Sequence, residues 1–161
     1  MTARYWIEQL HLLPHPEGGY YKETYRCTEE ISVPEGKRNI STAIYFLLEE
    51  KNKSHFHRIK SDELWFFHEG AALEIFCLTE DKLVTVLLGK NIEKGESLQA
   101  VIPAGTWFAS KLKNETGYAL VSCTVAPGFD FNDFELAKRS DLLTTYSHSD
   151  WQKTILEMCF E

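Results

Sequence analysis

The sequence predicts an all-β fold, an antiparallel sandwich or small barrel with short flanking helices, and three observations carry that expectation. Short segments rich in aromatic and β-branched residues recur through the middle of the chain. Five prolines and nine glycines fall between them, where turns are expected. Helical periodicity is confined to the two ends, so helices do not alternate with strands as a parallel α/β sheet requires.

Taken in order, residues 2–11 form a first helix with Thr2 as its cap. Strands follow at 20–26, 42–48, 64–68, 73–78, 83–88, 98–102 and 118–125. Thr79-Glu80-Asp81-Lys82 joins two of them as a hairpin, and the Gly18-Gly19 pair is a turn without the strand-to-helix setting of a phosphate loop. Residues 133–143 are expected to be helical, with a polar stripe from Glu135, Lys138 and Arg139. In the last segment Ser149 and Gln152 suggest a capping box, after which Trp151, Ile155 and Met158 or Cys159 line one face.

The 161 residues are long enough for one core to form without metal or disulfide, so residues 1–161 are read as one domain. Its barrel core spans about 20–126 and its helical extension about 131–161. A formal charge of -7 disfavours a phosphate-tracking surface and excludes nucleic acid as the expected partner. No apolar run approaches the ~20 residues of a membrane-spanning helix. The charged, aromatic N-terminus does not resemble a signal peptide, and a cytoplasmic location is the expectation. Cys27, Cys77, Cys123 and Cys159 form no Cys-x-x-Cys pair and are read as reduced thiols.

The chemistry concentrates in Ser54-His55-Phe56-His57 and in the run Asp62 to Gly70. Residues two apart on a strand share a face, so His55 and His57 would project together with Cα atoms ~6.6 Å apart, within reach of one ion or ligand. Glu63 can return on the next strand to the same point. Parity then groups Glu63, Trp65, Phe67 and Glu69 on one face and Leu64, Phe66 and His68 on the other. A second segment, Ile102-Pro103-Ala104-Gly105-Thr106-Trp107-Phe108, is a strand end followed by a tight turn.

These residues resemble the cupin superfamily, whose first motif carries His-x-His, Glu and then Gly seven positions on, and whose second carries Pro-x-Gly-x-x-His. Glu63 with Gly70 and Pro103 with Gly105 match those spacings. Five residues separate His57 from Glu63 where three or four are usual, and Phe108 stands where the second-motif His would be. The runs 13–20, 23–26, 41–48, 125–131 and 134–136 extend the likeness to the small single-domain cupins grouped with the sugar-nucleotide epimerase (RmlC-like) type. The resemblance implies a double-stranded β-helix, or jelly roll, with a small-molecule pocket and a homodimeric assembly.

Three functions fit that pocket. In an isomerase or epimerase acting on a sugar-like or other polar substrate, His55 or His57 is the base, Glu63 orients it, and Tyr20 or Tyr45 is the proton donor. In a metal-dependent oxygenase or lyase, His55, His57 and Glu63 ligate a divalent transition metal, with zinc, nickel, iron and manganese equally compatible. In a binding module the same pocket holds a ligand without turnover. Trp65, Trp107, Phe108 and Ser110 are the expected walls, and Arg26 offers a planar fork to a carboxylate or phosphate.

Overall fold

The computed structural model describes residues 1–161. Helix α1 (Ala3–Gln9) opens the chain, and Thr2 caps it by accepting the Tyr5 N–H at 3.2 Å. Strands follow as β1 (Leu13–Pro14), β2 (Tyr20–Arg26), β3 (Glu30–Val33), β4 (Gly36–Asn39), β5 (Thr42–Glu49) and β6 (Lys53–Arg58). Then come β7 (Asp62–Gly70), β8 (Leu73–Leu78), β9 (Leu83–Leu88), β10 (Gln99–Ile102), β11 (Trp107–Leu112), β12 (Tyr118–Ala126) and β13 (Glu135–Leu136). Helices α2 (Arg139–Thr145) and α3 (Ser149–Met158) close it.

The strands form a six-stranded sheet, β1-β2-β5-β12-β7-β10, a five-stranded sheet, β13-β6-β11-β8-β9, and the separate hairpin β3-β4. Each expected strand is present, and Thr79–Lys82 closes the β8–β9 hairpin through Thr79 N–H to Lys82 O at 2.9 Å. The β3-β4 pair and the full length of β11 lie beyond what local sequence pattern announced. Both contain charged or small residues at positions where a strand template asks for apolar ones.

Alternation along each strand divides the apolar residues between compartments. Phe46, Trp65, Ile75, Phe108 and Val121 fill the space between the sheets. Phe56, Ala109, Leu142, Ile155 and Met158 form a second cluster where α2 and α3 cover the outer face of the five-stranded sheet. Leu47, Leu120 and Tyr118 form a third beneath α1, joined by the bond from Trp6 Nε1 to Tyr118 Oη at 3.1 Å.

Two local expectations give way to tertiary contacts. The stretch 133–143 is not one helix: Glu135 and Leu136 pair with Arg58 and His57 at the edge of β6, and α2 starts only at Arg139. Satisfying the open backbone of β6, with Glu135 held by Arg58 at 2.7 Å, outweighs helix propensity here. The Ser149–Gln152 box also does not form, because His148 occupies the cap position and Ser149 is already helical.

One irregularity positions the site. On β6, His57 pairs with Phe108 and Ser54 with Ser110, so His55 and Phe56 together oppose Ala109 in a β-bulge. The extra residue resets the alternation. Ser54 and His57 face the interior, Phe56 joins the outer cluster, and His55 stacks on Phe160 with ring centroids 3.6 Å apart.

Candidate functional site

A cavity of about 530 Å³ opens between the two sheets. Its walls are mostly aromatic and aliphatic, including Tyr21, Phe46, Trp65, Phe129, Phe131 and Phe134. The polar groups are few: His15, Glu17, His57, Glu63 and Cys123, with Glu23, Arg26, Thr42 and Asp130 also on the lining. Such a lining, apolar with a few convergent polar groups, is what a small-molecule site requires.

Glu17 reaches this cavity because the β1–β2 turn folds inward over β6. Gly18 has φ +109°, and a Cβ there would collide with the Lys53 carbonyl oxygen, so only glycine admits this approach. The Glu17 carbonyl then accepts both the backbone N–H of His55, at 2.8 Å, and His55 Nδ1–H, at 2.7 Å. Its side chain is buried, accepting Ser54 Oγ–H at Oε1 (2.8 Å) and lying 3.0 Å from His57 Nε2 through Oε2.

The protonation of this pair follows from geometry. His57 Nδ1 lies 2.7 Å from the His55 carbonyl oxygen, which can only accept, so Nδ1 carries a proton. Nε2 lies against a carboxyl oxygen, so one proton must lie between them. Burial pushes the Glu17 carboxyl well above its ordinary value, with repulsion from Glu63 adding to the effect and Ser54 opposing it. Burial also pulls His57 down to about 3. The proton rests on Glu17, which donates to a neutral His57.

Glu63 differs. It is 8% exposed, and its carboxylate has no ion pair or well-formed hydrogen bond. Burial raises it to about 7, while weak polar contacts from Cys123 and Trp65 oppose the rise. Trp65 Nε1, also buried, lacks a well-formed bond of its own. Above the pair, His15 Nδ1 accepts the Glu17 N–H at 3.3 Å, and desolvation lowers this ring to about 4.

The structure brings together some of the residues picked out in the sequence and separates others. His57, Glu63, Trp65 and Arg26 line the cavity. His55 does not, because the bulge turns it toward Phe160. Tyr20 and Tyr45 pack under α1 on the outer face of the six-stranded sheet, so the inward tyrosine is Tyr21. Trp107 likewise faces outward, beneath the Arg58 guanidinium at 4.3 Å. Phe108 is core, with its ring 4.1 Å from that of His57, and Ser110 is buried beside it with Oγ unpaired. Arg26 is committed within the protein: it donates to Glu23 Oε1 and Oε2 at 3.0 and 2.7 Å, to Asn39 Oδ1 at 2.8 Å and to Phe129 O at 3.1 Å.

The proposed divalent transition-metal site at His55, His57 and Glu63 does not assemble. His55 lies outside the cavity, and His57 Nε2 meets the Glu17 carboxyl. No cluster of three or more His, Cys, Asp or Glu side chains is arranged to hold an ion. The donor set does not fit a metal.

Sequence reasoning passed over Glu17, His15 and Tyr21. The available signal was the run His15-Pro16-Glu17-Gly18-Gly19, where an acid beside paired glycines marks a close backbone approach that can carry a side chain inward.

Comparison with known proteins places the molecule. The uncharacterized protein YML079W of Saccharomyces cerevisiae is 33% identical over 153 residues, covering 85% of this chain and 76% of that one. A hypothetical protein from Leishmania major superposes with a TM-score of 0.91 at 38% identity, over 100% of both chains. Protein SO0799 from Shewanella oneidensis does so at 0.91 and 37%, over 99% and 98%. Oxalate decarboxylase from Bacillus subtilis, at 16% identity and a TM-score of 0.56 over 90% of this chain and 36% of that one, shares the fold alone. The family described as "Cupin superfamily (DUF985)" matches residues 4–137, and on that match, over a jelly roll of antiparallel strands, the chain belongs to the cupin superfamily.

Proposed function

We propose that this cupin is a small-molecule isomerase or epimerase, moving a proton at a carbon next to the carbonyl of a polar substrate held between the two sheets. One observation carries the reading. An unpaired carboxyl, Glu63, faces the cavity with a pKa of about 7, beside the Glu17–His57 pair, which holds a proton on a neutral acid. Proton transfer at neutral pH needs a base that is neither spent nor too weak, together with a separate acid. Glu63 as carboxylate takes the proton from carbon, and Glu17–His57 supplies one to the developing enolate oxygen or to the opposite face. The base is thus assigned to Glu63 and not to His55 or His57, since His57 Nε2 is already engaged.

Nuclear magnetic resonance in D2O on a panel of aldoses, ketoses, hydroxy ketones and amino ketones tests this. Exchange at one C–H is expected, with a rate that climbs as pH passes about 7 and Glu63 ionises. Glu63→Gln is expected to lower it by at least ~100-fold. A compound that binds saturably but exchanges no faster than with Glu63→Gln overturns the proposal in favour of a binding module.

We also propose a homodimer. Val101 is exposed on the outward face of β10, Leu98 is exposed in the bend just before it, and no helix covers this edge strand. Light scattering is expected to give twice the 18.6 kDa chain mass. A single-chain mass at micromolar concentration contradicts it.

A further inference from the structure

The charge of the ligand can be read from which groups in the cavity are already paired. Arg26 is the only Lys or Arg on the lining. Four of its N–H bonds are taken by Glu23, Asn39 and the Phe129 carbonyl, so it has no bidentate face for a carboxylate or phosphate. The two interior histidines are neutral and their neighbour is Glu17. An anion entering this space would meet Glu63 and Asp130 with no free cation to offset its desolvation.

The opposite charge meets favourable groups at Glu63 and along the aromatic wall. Glu63 is a deeply buried acid on the lining that has no ion-pair partner and only the weak contacts from Cys123 and Trp65. Phe129, Phe131 and Phe134 pack edge to face, with centroids 4.9 to 6.2 Å apart, and Tyr21 completes an aromatic wall. Ring faces attract organic cations, more strongly when the cation is desolvated. A buried acid without an ion-pair partner and a wall of rings are together the components of an ammonium site.

From the saturated Arg26, the absence of an ion pair at Glu63 and the aromatic wall, we infer that the cavity takes a small molecule bearing an ammonium group on an apolar or aromatic body, and rejects anions, nucleotide sugars among them. The inference rests on taking this cavity as the ligand site, and not on proton transfer occurring there.

Three probes of matched shape separate the possibilities: phenethylamine, 2-phenylethanol and phenylacetate, titrated by calorimetry against the wild-type protein. The amine is expected to bind at least ~10-fold more tightly than the alcohol, a preference of the order of one partly desolvated charge contact, and phenylacetate not at all. Glu63→Gln is expected to bring amine and alcohol to within ~3-fold of each other. Equal or tighter binding of the alcohol or the carboxylate by wild type overturns the inference, as does no amine binding up to ~10 mM. Because the readout is binding, it is independent of deuterium exchange: exchange can fail while amine selectivity holds, and the reverse.

Discussion

Replacing Glu63 with glutamine is expected to stabilise the fold by ~3 kcal/mol above pH 7 and to leave stability unchanged below pH 4.5. The carboxyl has a folded pKa of about 7 against an ordinary 4.5, so between those values the unfolded chain has released a proton that the folded chain retains. Stability of the wild type therefore carries a penalty that grows as pH rises through this window and is complete above about 7. Glutamine has the shape without the charge and avoids it. The groups packed around this position pull in both directions. Glu17, from the β1–β2 turn, adds a second raised carboxyl, whereas His57 on β6 and His15 are lowered to about 3 and about 4 and favour the fold as pH rises toward 6.5. Between pH 4.5 and 6.5 the two kinds of group offset each other, and the wild-type profile is expected to be nearly flat. Denaturant melts of both proteins at pH 4, 5.5 and 8 check this. A variant no more stable than wild type at pH 8 means that Glu63 is not held as an unpaired buried acid. A stabilising substitution in the cavity that removes activity is the usual mark of a functional residue.

The second large effect is expected at Glu17, where two substitutions should part company. Glu17→Ala leaves Ser54 Oγ, and the lone pair of His57 Nε2, buried without partners and opens a void, for a cost of ~3 kcal/mol. Glu17→Gln keeps both contacts: its amide N–H donates to His57 Nε2 as the carboxylic acid does, and its oxygen accepts from Ser54. Its cost is expected to stay within ~1 kcal/mol. If Glu17 were instead ionised against an imidazolium, glutamine would exchange that ion pair for a neutral hydrogen bond and its cost would rise above ~1 kcal/mol. Thermal melts at pH 7 distinguish the two, and a His57 Nε2 that titrates near neutral pH by NMR would contradict the proton placement directly.

Much of the architecture was open to a reader of the chain. Thr2 caps α1, Thr79 to Lys82 turns the β8–β9 hairpin, and the segments at 20–26, 73–78 and 83–88 are strands with those bounds, because each is set by residues adjacent in sequence. The site was legible in part. Glu63 and Trp65 share the inward face of β7 by simple alternation, and His57 lies across from them. His55 fails the same rule, since one unpaired residue on β6 shifts the phase by a position and sends it to Phe160. Tyr20 fails for the reverse reason: a two-fold pattern tells which residues share a face but not which face looks inward, and on β2 it is Tyr21.

Alone, the amino-acid order determined that this chain builds antiparallel strands around an enclosed interior, and that His57 and Glu63 can face it together. Those are properties of period and spacing, which local sterics impose on any folded copy. Only the tertiary structure decided that Glu17 joins them, that Arg26 is already neutralised, and that the stretch after Asp133 pairs with β6 instead of coiling. Glu17 and the stretch after Asp133 meet partners distant along the chain, and Arg26, paired locally with Glu23, has its remaining donors taken by Asn39 and Phe129. Those contacts set the protonation and the free valence of each group.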